Sequence, residues 1–234
     1  GTQGPVAVSL TAFETYYAGE AETWELLALT RARVAWASSE AFGAQVAAAV
    51  EAALRRPRDA VLAAKDVRDM RALMRRERPP TGEWDMKLGP GGLVDIEFAA
   101  QYLQIVHAAE GGPLAQNTGE ALQRAFEASL ASGEGVEALA EAWRLQQDLT
   151  QLLKVALADG ADPADEPRAF QALLARAGES KDFKALRAKL AAARTREQYA
   201  ALDDGHFLRI TIRNLLDLQA QDILAESRQR LERY

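Results

Sequence analysis

The strongest constraint on this chain is its alphabet. Long stretches are written in Ala, Leu, Glu, Arg and Gln, which are strong helix formers, while its Val and Ile clusters are too short to build a sheet. Only GPVAVSL near the start, residues 4–10, has strand character. Helical periodicity runs from Thr11 to Ala37 as one or two helices, with Ser9 and Thr11 both able to cap the first. A second run, Ser39 to Arg55, ends where Pro57 disfavours continuation. A third covers Arg58 to Arg78 and stops at PPTG, a strong breaker. After a glycine-rich turn a fourth helix covers Asp95 to Ala109. Further helices fit Gly119–Ala131, Gly135–Ala158, Glu166–Arg176, Lys181–Ala193 and His206–Arg233, separated by SGEG, DGADPADEP, AGES and LDDG. The expected fold is an all-α helical bundle. It reads as a single helical domain over residues 1–234, with 1–10 as a run-in, 11–195 as the bundle and 203–234 as a C-terminal helix of unassigned position.

Composition narrows the chemistry. A net charge of −6 gives no support to a nucleic-acid binder, whose footprint would be basic. The absence of cysteine removes disulfides, thiolate catalysis and Cys-rich zinc sites. Two histidines far apart, His107 and His206, make a His-based metal site or a Ser-His-Asp triad improbable. No apolar run approaches the roughly 20 residues needed to span a bilayer, and no signal peptide is visible at the start. No membrane partner is expected, and the chain reads as cytoplasmic. A G-S-x-x-D-x-D stretch, which nucleotidyl transfer by paired metal-binding carboxylates requires, is also missing. Asp217 and Asp222, in LDLQAQD, lack the glycine-serine lead. Catalysis is incomplete on these residues alone.

Three clusters carry the remaining information. The first is KLGPGGLVDIEF, residues 87–98, a glycine turn running into a helix. On that helix Ile96, Ala99, Leu103 and Val106 share a side, and Glu97, Gln101 and Gln104 form a narrow polar seam opposite. Asp95 falls in the first turn on the apolar side, where a carboxylate can accept from free N–H groups and meets the positive dipole end. Either Asp95 caps and Glu97 faces solvent, or the turn holds Lys87 and a nest of backbone N–H groups against a phosphate. The spacing matches no P-loop. The second cluster is AETWELLALTRARVAW, residues 21–36. Its helix is apolar nearly all round, so Arg31 and Arg33 are expected in packed surroundings. There they need a carboxylate, for which Asp95 and Glu97 are candidates, or a phosphate. The third is DVRDMRALMRRERPP, residues 66–80, in which Val67, Met70 and Met74 make a core stripe and Arg68, Arg71 and Arg75 a neighbouring basic one. Such a run is either a solvated face or a patch that meets a nucleotide or an acidic partner.

Taken in order, AFETYY (12–17), AETWELLALTRAR (21–33), DVRDMRALMRRE (66–77) and KLGPGGLVDIEFAAQYL (87–103) resemble the helical region of the bifunctional glutamine synthetase adenylyltransferase family. The resemblance covers residues 1 to about 110 well and 115 to 195 more loosely. It implies a parent enzyme with two polymerase-β-like nucleotidyltransferase domains, each followed by such a bundle, and the bundle is shared with the uridylyltransferase that modifies the PII signal protein. In the family a strand with a metal-binding Asp precedes a stretch like GTQGPVAVSLTAFETYY, so the chain is expected to start just after a catalytic core. AETWE, LTRAR and VDIEF are more similar to the C-terminal, adenylylating half than to the deadenylylating one. The segment 203–226 departs from this pattern and resembles helices that precede a nucleotidyltransferase core.

The resemblance implies a reaction for the parent. ATP and a tyrosine hydroxyl of glutamine synthetase give pyrophosphate and adenylyl-tyrosine, with Mg2+ held by carboxylates of the core, under control of PII and glutamine. This chain alone would require no cofactor. Its expected partners are glutamine synthetase, PII and the enzyme's own nucleotidyltransferase core. Lys87, Asp95, Glu97, Arg31 and Arg33 would line the face toward that core or its nucleotide, and Arg68, Arg71 and Arg75 would face a partner. Trp24 and Glu25 would be scaffold, and no residue would be a nucleophile. Two other readings are a freestanding, non-catalytic helical interaction module and the equivalent domain of the PII uridylyltransferase.

Overall fold

The computed structural model describes residues 7–130, 133–158 and 161–195; the expected helix from His206 lies outside them. Among the described residues there are nine α-helices and no strand: α1 (Leu10–Gly19), α2 (Thr23–Leu29), α3 (Glu40–Leu54), α4 (Ala60–Glu77), α5 (Leu93–His107), α6 (Thr118–Glu127), α7 (Gly133–Ala156), α8 (Arg168–Ala177) and α9 (Phe183–Thr195). Capping explains most of the starts. Ser9, Ser39, Asp59 and Asn117 each accept a backbone N–H of the first turn of α1, α3, α4 and α6. A reciprocal capping box between Glu22 and Glu25 opens α2. Glu25 also accepts the Tyr16 hydroxyl at 2.6 Å, tying α1 to α2.

The stretch expected to be helical as far as Ala37 stops at Leu29. There the Thr30 hydroxyl donates to the Leu27 carbonyl at 2.7 Å, and the N–H groups of Arg31 and Ala32 donate three residues back, to Ala28 and Leu29, a tightened last turn. Residues 32–37 follow without regular structure.

Three apolar clusters share α5 and α7. Leu26, Leu27, Leu54, Ala64 and Val67 of α2, α3 and α4 pack on Ala99, Tyr102 and Ile105 of α5. The adjoining side of α5, Ile96, Ala100 and Leu103, packs on Leu122 and Ala125 of α6 and Ala142 of α7. Leu93 at the start of α5 and Met86 of the preceding turn join Leu149, Leu174, Leu186 and Leu190 of α7, α8 and α9. Helix α5 is therefore enclosed on both sides, which is why its sequence is apolar nearly all round. Two residues of its polar seam do not reach water either: Gln101 and Gln104 are buried, and Gln104 Oε1 accepts the Ala115 N–H at 2.7 Å, while Glu97 keeps partial exposure. A buried amide carbonyl used this way satisfies a loop N–H that would otherwise be orphaned.

Leu122, fully buried between α5 and α7, tests this packing. Leu122→Ala is expected to cost about 2–5 kcal/mol, read as a lower urea midpoint at unchanged slope.

Candidate functional site: the glycine turn and its ion pair

The segment between α4 and α5 is built by one aspartate. Asp85 accepts from the backbone N–H groups of Lys87 at 3.1 Å and Leu88 at 2.8 Å with one oxygen, and from Thr81 at 3.2 Å with the other. The chain then doubles back on itself. Gly89 N–H donates to the Asp85 carbonyl, Gly92 N–H to Gly89, Leu93 N–H to Met86 and Val94 N–H to Lys87. The glycines are required by this geometry. Gly91 has φ +66°, in the left-handed region. A Cβ on Gly92 would lie 2.7 Å from the Gly89 carbonyl oxygen and 2.9 Å from that of Met86. A Cβ on Gly89 would lie 2.7 Å from the Asp85 carbonyl oxygen.

This bonding closes the phosphate-nest reading of the turn. The first N–H groups of α5 are spent on carbonyls of the turn, and the Gly91 N–H donates to Asp95 Oδ2 at 2.8 Å. A second anion would find no free donors there.

Asp95 is buried, and its partner is Arg71 of α4, not Arg31 or Arg33. The Arg71 Nε donates to Asp95 Oδ1, and Nη2 donates to Asp95 Oδ2 at 3.2 Å and to the Leu88 carbonyl at 2.8 Å. Its Nη1 is buried with no partner among the described residues. The placement of Arg71 with Arg68 and Arg75 on a partner-facing stripe is thereby corrected. Arg71 is only 4% exposed, because it lies one turn after Val67 and continues the core face of α4. Arg68 is exposed and Arg75 is half-buried.

The other residues singled out separate into two groups. Arg31 reaches Glu97 at 3.2 Å, with Arg31 half exposed. Arg33 is exposed, contrary to the expectation of packed surroundings, because α2 has already ended at Leu29. Lys87 is exposed and makes no side-chain hydrogen bond among the described residues, while its backbone is fixed on both sides. The structure brings Asp95 to Arg71 and Glu97 to Arg31; Arg33, Arg68 and Lys87 stay apart as exposed cations.

Two further residues complete the junction. Gln146 of α7, fully buried, donates to the Gly91 carbonyl at 2.8 Å. Arg194 of α9 donates to the carbonyls of Glu83 at 2.5 Å and Asp85 at 2.9 Å, and reaches Gln146 Oε1 at 3.4 Å. Burial lowers the pKa of its guanidinium, and the carboxylates of Asp85, Glu83 and Asp95 work against that shift. Trp84 stacks on Phe183 at 5.3 Å between ring centres, and Arg187 pairs with Glu83 at 2.6 Å. A signal for both residues exists in sequence: Gln146 sits one turn from Leu149 and from Ala142, and Arg194 extends the Leu186–Leu190 stripe by one more turn. A polar residue on an apolar stripe marks a buried bond.

Among the described residues no group of three or more His, Asp or Glu side chains is placed to hold a metal ion. No helix among them is long and apolar enough to cross a membrane.

Comparison with known proteins gives this geometry its family. A family model described as GlnD PII-uridylyltransferase matches residues 62–201, more than half of the chain. The chain belongs to that family. A second model, described as glutamate-ammonia ligase adenylyltransferase, matches residues 1–49. Similar curated relatives are each named bifunctional glutamine synthetase adenylyltransferase/adenylyl-removing enzyme. The one from Caulobacter vibrioides is 62% identical over 207 residues, covering 88% of this chain and 21% of the relative. Those from Bradyrhizobium diazoefficiens and Xanthobacter autotrophicus are 42% and 44% identical, over 81% and 82% of this chain and 19% of each relative. The chain thus spans about one fifth of the length of the curated relatives it matches. All four segments that carried the sequence resemblance fall inside the two matched regions.

Removing one member of the buried pair should cost more than removing both. Asp95→Ala is expected to destabilise by about 3–5 kcal/mol, and the double variant Arg71→Met/Asp95→Leu by clearly less, as measured by urea unfolding.

Proposed function

We propose that this chain is the helical accessory part of an enzyme that adenylylates a tyrosine of glutamine synthetase and removes that group again. The observation that carries the reading is 62% identity over 88% of the chain to an enzyme of that name. The chemistry would lie with a nucleotidyltransferase core, which would hold Mg2+ and ATP and join the tyrosine oxygen to the α-phosphorus as pyrophosphate leaves. The helical part would contribute a rigid wall to the nucleotide cleft and a surface for glutamine synthetase and the PII protein. A cytoplasmic location goes with such substrates.

The geometry supports a division of labour within the proposed wall. Asp95, Arg71, Gln146 and Arg194 have their polar atoms turned inward on one another, so they fix the turn. Lys87, exposed on that fixed backbone, is the residue we assign to the core or its nucleotide. Arg31 and Glu97 would border the same face as a pair, with Arg33 beside them, and Arg68 and Arg75 would serve a protein partner. The equivalent domain of the PII uridylyltransferase is a second reading, favoured by the match over residues 62–201. The adenylyltransferase match over residues 1–49 and the names of the similar relatives favour the first.

The test is adenylyl transfer to glutamine synthetase by the full-length polypeptide carrying this chain. Lys87→Ala is expected to lower transfer roughly tenfold, the loss of one charge-assisted contact of about 1.4 kcal/mol, at unchanged melting temperature. Transfer of uridylyl groups to PII, with none of adenylyl groups to glutamine synthetase, would select the second reading.

A further inference from the structure

We infer that Asp85 is a positioning residue for nucleotidyl transfer, acting through the backbone of Lys87. This role rests on the assignment of Lys87 made above and names the residue that aims it. Elsewhere in the chain such side chains open helices: Ser9, Ser39, Asp59 and Asn117 each serve the first turn of an α-helix. Asp85 opens none, since residues 86–92 form a turn and α5 starts only at Leu93. Its carboxylate is nevertheless used on both sides, with Oδ1 accepting the N–H groups of Lys87 and Leu88 and Oδ2 that of Thr81. An aspartate that bonds the backbone two and three residues on sets the direction in which those residues leave.

That direction matters because of what flanks Lys87. Met86 and Gly89 are buried and Leu88 is half-buried, so Lys87 alone among residues 86–89 is exposed. The Met86 carbonyl takes the Leu93 N–H at 2.7 Å, and the Leu88 carbonyl takes Arg71 Nη2 at 2.8 Å. The Lys87 carbonyl takes the Val94 N–H at 3.2 Å. Of the two bonds on the Lys87 backbone, only the one from its N–H ends on a side chain, so one substitution can release it and leave the lysine in place. Without the Asp85 carboxylate, the Lys87 and Leu88 N–H groups turn to water. The ammonium, on its flexible four-carbon stem, then samples more directions, and a contact that needs one geometry is made less often.

Asp85 is itself held from a distance. Its N–H donates to the Gly82 carbonyl at 3.1 Å, and its carbonyl accepts the Gly89 N–H at 3.2 Å and Arg194 Nη2 at 2.9 Å. The same face of α9 carries Phe183, stacked on Trp84, and Arg187, paired with Glu83. These α9 positions, 183, 187 and 194, are spaced four and then seven apart, the period of one helix face, and they meet residues 84, 83 and 85. Helix α9 therefore sets where Asp85 stands, and the Asp85 carboxylate passes that position to Lys87.

Transfer by the full-length enzyme tests this with Asp85→Ala, Asp85→Asn, Lys87→Ala and the double variant Asp85→Ala/Lys87→Ala. Asn keeps an oxygen for the Lys87 and Leu88 N–H groups, whereas Ala keeps none. Asp85→Ala is expected to lower transfer about three- to tenfold and Asp85→Asn to recover most of that loss. The double variant should transfer no less than Lys87→Ala alone, because Asp85 has nothing left to aim. A carboxylate that only stabilised the turn would lower transfer in the Lys87→Ala background as well. Wild-type transfer by Asp85→Ala overturns the role. So do equal losses in Asp85→Ala and Asp85→Asn, and a double variant clearly below Lys87→Ala. Those results leave the assignment of Lys87 standing where Lys87→Ala itself lowers transfer; Lys87→Ala without effect overturns both. The same comparison is read on uridylyl transfer to PII if that is the group the enzyme moves, so the role of Asp85 and the identity of the reaction are tested apart.

Discussion

A buried carboxylate organises this structure. Taking Asp95 out of water is tolerable only because the Arg71 guanidinium and the Gly91 N–H meet its oxygens together. Arg71 in turn needs more than one acceptor, and it takes the Leu88 carbonyl from the turn. Each partner thus brings a different element to one point: Arg71 the middle of α4, Asp95 the first turn of α5, Gly91 and Leu88 the turn between them. Apolar packing alone would allow α4 and α5 to slide along their shared groove, since dispersion contacts are not directional. A charge pair with two fixed donor directions does not slide.

The glycines follow from that requirement. For Asp95 to accept the N–H four residues before it, the chain must fold so tightly that carbonyls stand within 3 Å of where a Cβ would be. The turn is therefore compact, fully bonded and closed to an added anion. What it holds still is the backbone of the exposed Lys87 at its outer edge and the start of α5.

How much of this was legible in the sequence depended on how local the cause was. Helix starts were readable because caps act over three residues: Ser9, one of the two caps expected for α1, accepts the Ala12 N–H. The enclosed character of α5 was readable from its all-round apolar pattern. The pairing of Asp95 was not, since 24 residues and a turn separate it from Arg71, and Arg31 and Arg33 offered equally plausible cations. Helical phase held the answer for Arg71, one turn from Val67, but the neighbouring Arg68 and Arg75 made the run look like a surface stripe. The end of α2 was missed for a different reason: residues 30–37, TRARVAWA, carry no Gly or Pro to mark a stop.

Arg194 has a consequence for the order in which the molecule can be made. It stands at the end of α9, yet its guanidinium binds the carbonyls of Glu83 and Asp85, more than a hundred residues earlier. During synthesis, which proceeds from the N-terminus, α4 and α5 can pair through Arg71 and Asp95 as soon as both have emerged. The turn between them must then wait, with two carbonyls hydrated, until nearly the whole described chain has left the ribosome. The last of the described helices thus closes a junction that α4 and α5 began.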